Sequence, residues 1–209
     1  VIFDGDDIYN ANESDVKHLI VNKDDRLTVE ITTNSARYVG ENAIITVTLS
    51  KNINTTVTVK VNGTPYNVAI VNGEGKLILN NLTNGTYKVN ATFAGDDRYL
   101  NYTSATVDLV INKMAPTLSI SINEPIYCGD DFNVTVHIEV LNEGINATVK
   151  VYVNESLYYV ALVNGDGNLT VHGLTVDNYV IYAVYDGNEK YMDATSNEVS
   201  LTVYPLNIG

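Results

Sequence analysis

The sequence predicts an all-β chain built from tandem two-sheet sandwiches. Three observations carry that expectation. Apolar and polar residues alternate with period two over many short runs. Turn residues separate those runs at close intervals. The whole pattern then recurs after 90 to 92 residues.

The alternation is plain along the chain. Ile45, Val47 and Leu49 alternate with Thr46 and Thr48; Val57, Val59 and Val61 alternate with Thr58 and Lys60. Tyr87, Val89, Ala91 and Phe93 alternate with Lys88, Asn90 and Thr92. One apolar and one polar face is the signature of an antiparallel sheet wet on one side. Composition agrees, because the 209 residues include 15 Tyr and abundant Val and Thr, which suit a pleated surface. No apolar stripe of helical period interrupts the pattern.

Repetition divides the chain. Phe3-Asp4-Gly5-Asp6-Asp7-Ile8-Tyr9 recurs as Phe93-Ala94-Gly95-Asp96-Asp97-Arg98-Tyr99 and again as Tyr185-Asp186-Gly187-Asn188-Glu189-Lys190-Tyr191. Residues 1–23 match 91–113 at nine positions, and 68–95 match 160–187 at twelve of 28, both without gaps. The expected parse is therefore the tail of a preceding repeat over 1–23, complete repeats over 24–113 and 114–205, and the start of a linker at 206–209. The chain begins mid-pattern, so a piece of a longer protein is expected. Met114-Ala115-Pro116 and Tyr204-Pro205 mark the junctions, where Pro withholds a ladder donor.

Seven strands are expected in each repeat. In the first they lie near 27–33, 43–50, 55–62, 65–71, 76–82, 86–94 and 104–112. In the second they lie near 117–122, 132–141, 147–154, 157–163, 168–174, 178–186 and 195–204. Asn72-Gly73-Glu74-Gly75 and Asn164-Gly165-Asp166-Gly167 join the fourth and fifth, and Asn-Gly readily takes the positive φ of a tight reversal. Seven short strands in about 90 residues predict an immunoglobulin-like, antiparallel seven-stranded sandwich. Tyr87 and Tyr179, each opening the sixth strand, are placed as tyrosine-corner residues tying the preceding loop. The segment 1–23 is expected to supply a last strand whose sheet partners lie elsewhere. It would pack loosely on the first repeat or add to a sheet of a neighbouring copy.

The run from Gly85-Thr86-Tyr87 through Phe93-Ala94-Gly95-Asp96-Asp97-Arg98-Tyr99, with its copy at 177–191, resembles the bacterial-type Ig-like repeats of adhesin-like surface proteins, common in methanogenic archaea. The resemblance spans essentially the whole chain. It implies an extracellular, cell-surface location and a non-catalytic stalk or spacer holding a distal binding region. Expected partners are further repeats of the same chain or neighbouring copies, with surface glycans or partner cells as further candidates. A direct glycan-binding module and a head-to-tail filament built by strand addition remain the alternatives. A third reading makes the repeats an ancillary module of a secreted enzyme.

Charge and motifs bound the chemistry. With 25 acidic and 12 basic side chains the formal charge is −13, which argues against binding nucleic acid or anionic lipid. One Cys, Cys128, excludes an intrachain disulfide and reads as a small buried hydrophobe. No apolar run is long enough to insert in a membrane as a helix. His18, His137 and His172 are not spaced as metal ligands or beside a nucleophile, and His137 is expected to face water, so no catalytic residue is predicted.

Asn-x-Ser/Thr occurs eleven times against about four expected by chance from 27 Asn and 30 Ser plus Thr. In an exported protein such sites accept glycan. Asn62 and Asn154 lead, because they fall at the same hairpin of both repeats, followed by Asn12, Asn54, Asn84, Asn101 and Asn146. The plainer reading is that Asn and Thr suit turns and wet strand faces. Asp96, Asp97, Asp130 and Asp131 are weak candidates for Ca²⁺, which takes six to eight oxygens. Two adjacent carboxylates fall short, so a solvated turn without metal or other cofactor is expected. Among the tyrosines, Tyr102, Tyr152, Tyr158, Tyr159 and Tyr182 are candidates to stack on sugar rings.

Overall fold

The computed structural model describes residues 1–206, so residues 207–209 of the expected linker lie outside the described residues. Every regular element among them is a β-strand. Strands β1 (Ile2–Phe3) and β2 (Asn12–Glu13) form a short hairpin by themselves.

The first sandwich comprises β3 (Val29–Thr33), β4 (Arg37–Tyr38), β5 (Ala43–Leu49), β6 (Thr55–Val61), β7 (Thr64–Ile70), β8 (Glu74–Leu79), β9 (Gly85–Phe93), β10 (Tyr102–Thr103) and β11 (Val107–Asn112). One sheet runs β3-β5-β8; the other runs β4-β11-β9-β6-β7, with β10 also on β9. The second comprises β12 (Thr117–Ile122), β13 (Ile126–Tyr127), β14 (Phe132–Val140), β15 (Glu143–Gly144), β16 (Ala147–Val153), β17 (Ser156–Leu162), β18 (Asp166–Val171), β19 (Asn178–Tyr185), β20 (Ala194–Thr195) and β21 (Val199–Tyr204). Its sheets are β12-β14 with β15 and β18 on β14, and β13-β21-β19-β16-β17 with β20 on β19.

The alternation in sequence becomes alternation in depth. Ala43, Ile45, Val47 and Leu49 are buried while Ile44, Thr46 and Thr48 are not. The same holds of β6, β9, β14, β16 and β19. Two buried clusters result, one drawn from residues 27–111 and the other from 118–203, with no residue in common.

Two features refine the sequence reading. Each sandwich holds short strands besides the seven expected. Two of these, β4 and β13, pair parallel with β11 and β21, so the sheets are not wholly antiparallel. Two-residue strands are too short for a period of two to show. The second sandwich also has an extra hairpin. Leu49 and Ile138 are equivalent at a spacing of 89 residues and Asn54 and Asn146 at 92, so three residues are added between them. They form the β14–β15 reversal, in which Leu141 and Asn142 take φ of 53° and 64°.

The tail keeps local structure and no more. Its β1–β2 pairing, Phe3 opposite Asn12, reproduces Phe93 opposite Tyr102. Residues 14–23 form no strand, and Leu19 and Val21 are 88% and 84% exposed, whereas their equivalents Leu109 and Ile111 are core residues. A strand is a product of its partners, and no described strand lies beside this segment.

Candidate functional site

The Gly-Asp-Asp segments form one turn three times over. Asp6 Oδ1 accepts from the amides of Ile8 and Tyr9, at 2.9 and 2.8 Å. Asp96 Oδ1 accepts from Arg98 and Tyr99, both at 2.8 Å. Asn188 Oδ1 accepts from Lys190 and Tyr191, also at 2.8 Å. Asn serves as well as Asp, so the turn asks for an acceptor oxygen and not for a charge. The amides of Tyr99 and Arg98 hold the Asp96 carboxyl below the usual carboxylate range. Gly95 precedes it at φ 86°, a conformation in which a side chain is strained, and a Cβ there would stand 2.9 Å from the Asn101 nitrogen.

The other acidic pair is likewise engaged. Asp130 Oδ2 accepts from the Tyr127 amide at 3.0 Å, and Asp131 meets the His172 imidazole. Asp97 is exposed in the same turn as Asp96. Among the described residues, no three His, Cys, Asp or Glu side chains gather as a metal would require.

Four of the seven leading Asn-x-Ser/Thr sites have a structural duty. Asn62 and Asn154 take φ of 47° and 51° at the β6–β7 and β16–β17 reversals. Their Oδ1 atoms accept from the amides of Lys88 at 2.7 Å and Val180 at 2.8 Å, tying each reversal to the neighbouring strand. Asn54 and Asn146 accept from the amides of Asn72 and Asn164 at 2.8 and 2.7 Å. In all four the oxygen is bound and the residue is exposed. Asn12, Asn84 and Asn101 are exposed as well. The sequence showed the enrichment but not this second demand for Asn, because the amide partners lie 18 or 26 residues away.

The two loop tyrosines act alike. Tyr87 Oη donates to the Thr83 carbonyl at 3.0 Å and Tyr179 Oη to the Thr175 carbonyl at 3.1 Å. His137 points to the solvent side of β14, with its side chain 39% exposed. Asp166 across on β18 brings Oδ1 to 2.8 Å from its Nδ1, and Glu139 lies 3.6 Å from Nε2. The Asp166 hydrogen bond raises the His137 pKa above its ordinary value. His18 is exposed in the tail, and Cys128 lies partly buried against the second core.

The candidate stacking tyrosines separate. Tyr158 turns inward against the second core, and Tyr102 is exposed on β10 of the first sandwich. Tyr152, Tyr159 and Tyr182 share the outer face of the β13-β21-β19-β16-β17 sheet, the first two on adjacent rows and Tyr182 stacked on Tyr152. No helix of the described residues is long and apolar enough to cross a membrane.

No family model and no curated protein matches the chain. Similar solved structures include the Clostridium thermocellum CbhA fibronectin(III)-like modules, at a TM-score of 0.37 and 15% identity over 86% of this chain and 97% of that one. The human OSCAR ligand-binding domain is similar at a TM-score of 0.33 and 12% identity over 82% and 97%. The sandwich class itself is read from the paired sheets and their enclosed cores.

Proposed function

We infer that residues 24–113 and 114–205 are two modules of a non-catalytic stalk in a cell-surface, adhesin-like protein. One observation carries the reading: polar motifs that recur in the two repeats are bonded to their own main chain at equivalent positions. Asp96 and Asn188, Asn62 and Asn154, Asn54 and Asn146, and Tyr87 and Tyr179 each hold a turn or loop. Such residues maintain a shape and leave no reactive group to act on a substrate. Net charge of −13 keeps such an array soluble and discourages adhesion between copies. Exposed Asn-x-Ser/Thr sites support an extracellular setting and would add glycan to that shield.

Single-molecule pulling on the chain tests the reading. Two separate ruptures are expected, each releasing roughly 260–290 Å, which is the ~300–325 Å of about 90 residues extended at ~3.3–3.6 Å apiece less the ~35–40 Å that a folded unit already spans. A single rupture spanning both repeats would overturn it. The exposed apolar tail favours a second reading, strand addition to a neighbouring copy. Concentration-dependent assembly that disappears on deleting residues 1–23 would support it, and a monomer at all concentrations would end it.

A further inference from the structure

The outer face of the larger sheet differs in kind between the two repeats. In the second, register sets Leu157, Tyr152 and Tyr182 in one row across β17, β16 and β19. The adjoining row holds Tyr159, Lys150 and Val184. Tyr152 and Tyr182 stack with ring centroids 4.9 Å apart and planes 14° from parallel, and Tyr159 is 66% exposed. Among the described residues, the hydroxyls of these three tyrosines have no hydrogen-bond partner, unlike those of Tyr87 and Tyr179.

The first repeat has the same backbone and register with other chemistry. Its rows are Pro65, Lys60 and Asn90, then Asn67, Thr58 and Thr92. Thr58 meets Asn67 at 3.3 Å, and Thr92 meets Thr103 at 3.0 Å. That face is an ordinary wet surface. Since the polar version folds, the fold does not demand the aromatic one, and the exposed Tyr159 beside the half-buried Tyr152–Tyr182 stack makes an aromatic patch that marks a contact surface.

We propose that this face of the second repeat binds a neutral, linear polysaccharide. Three arguments select that occupant. The first is charge. Lys150 is the one ionic residue in the two rows, and Asp186 neutralises it at 2.7 Å, so the face is neutral on a chain that repels anionic polymers. The second is area. The two rows cross three of the sheet's six strands, about 10 Å, and lie two residues, ~7 Å, apart. A stable protein partner needs about 800 Å² on each side, so this patch alone is too small for a lasting dimer. The third is the form of the contact. Tyrosine offers an apolar ring to the C–H face of a sugar and a free hydroxyl to its O–H groups. The row Leu157–Tyr152–Tyr182 crosses three strands, about 10 Å, and accommodates roughly two sugar rings side by side in one chain. This binding role does not rest on the stalk reading and adds a recognition surface to one module of two.

Affinity electrophoresis of the unglycosylated chain tests it, in gels containing hydroxyethylcellulose, mannan, starch or, as the anionic control, polygalacturonate. Retardation is expected in at least one neutral gel and not in polygalacturonate. The variant Tyr152→Lys/Tyr159→Asn/Tyr182→Asn installs residues that the first repeat already tolerates, and is expected to abolish retardation while circular dichroism stays unchanged. The converse variant Lys60→Tyr/Asn67→Tyr/Asn90→Tyr is expected to increase retardation. No retardation in any neutral gel overturns the proposal, as does retardation that survives the triple substitution. Dimerisation in sedimentation velocity that the triple substitution removes overturns it in favour of a second copy as the occupant. The pulling experiment above is indifferent to all of these outcomes, so the two readings fail separately.

Discussion

Where the first repeat shows Lys60, Asn67 and Asn90 to solvent, the second shows Tyr152, Tyr159 and Tyr182, yet the side chains beneath are nearly interchangeable. Val57, Val59, Val61, Val68, Ala91 and Leu109 correspond to Val149, Val151, Val153, Val160, Ala183 and Leu201, and all twelve are buried. The polar residues that bond main chain are retained with them. Burial and backbone satisfaction therefore account for what the repeats share. On this sheet the change of chemical character lies on the outer face, where stability exerts little control and use can; elsewhere the buried Ala43 of the first repeat is Phe132 in the second, which also carries the added β14–β15 hairpin.

The largest effects should come from the shared core. Leu109 and Leu201 are fully enclosed in separate clusters. Leu201→Ala should cost the second repeat about 2–5 kcal/mol through lost transfer energy and the cavity left behind. In a denaturant titration one of two transitions moves and the other stays; Leu109→Ala moves the other. If either substitution shifts both transitions together, the repeats are one cooperative body and the comparison loses its basis.

Next come Gly75 and Gly167, at the same place in each repeat. A Cβ on Gly75 would stand 2.5 Å from the Ala69 carbonyl oxygen, and one on Gly167 would stand 2.8 Å from that of Ala161. Backbone cannot give way as a side chain can, so Gly75→Ala and Gly167→Ala should each cost about 1–3 kcal/mol. Equal losses in calorimetry would show that both repeats enforce the same close approach. A silent Gly75→Ala beside a costly Gly167→Ala would show that the first is the looser.

These residues also show what the sequence made legible. The all-β class and the long strands were readable, because period two survives in a linear string. The parallel strand Arg37–Tyr38 was not, since its partner Ile111–Asn112 lies some 74 residues on and neither residue alternates visibly. Nor was the loss of a strand over residues 15–23, whose apolar pattern matches a true strand but which has no neighbour to pair with. Five tyrosines looked alike as candidates for stacking. Only register showed that Tyr152, Tyr159 and Tyr182 converge and that Tyr158 turns inward.

A smaller effect tests the shared turn. Asp96→Ala and Asn188→Ala each remove the oxygen that receives two amides, and should lower the unfolding midpoint of their own repeat by less than the glycine substitutions do. Asp96→Asn should cost almost nothing near neutral pH, because the second repeat already uses Asn. It should differ in acid. The folded Asp96 carboxyl lies below its unfolded value, so its contribution is present above about pH 4 and fades as pH falls through the folded pKa. Asp96→Asn removes that acid loss from the first repeat alone, which urea midpoints measured from neutral pH to about pH 3 would show.

The smallest effect sits where the repeats differ within a sheet. Register places His137 opposite Asp166 in the second repeat and Thr48 opposite Glu74 in the first. Asp166 raises the folded pKa of His137 above its unfolded value near 6.5. A raised histidine contributes stability that is complete below the unfolded pKa and is lost as pH rises through the folded one. The second repeat should therefore lose stability as pH rises above about 6.5 and through the folded pKa, with no matching slope from the Thr48–Glu74 pair. With its side chain 39% exposed, His137 is screened by water and salt, so the change should stay below about 1 kcal/mol. His137→Thr, which gives the second repeat the residue of the first, should flatten the slope of that transition. If the slope persists in His137→Thr, the pH dependence arises elsewhere and the His137–Asp166 pair contributes nothing measurable.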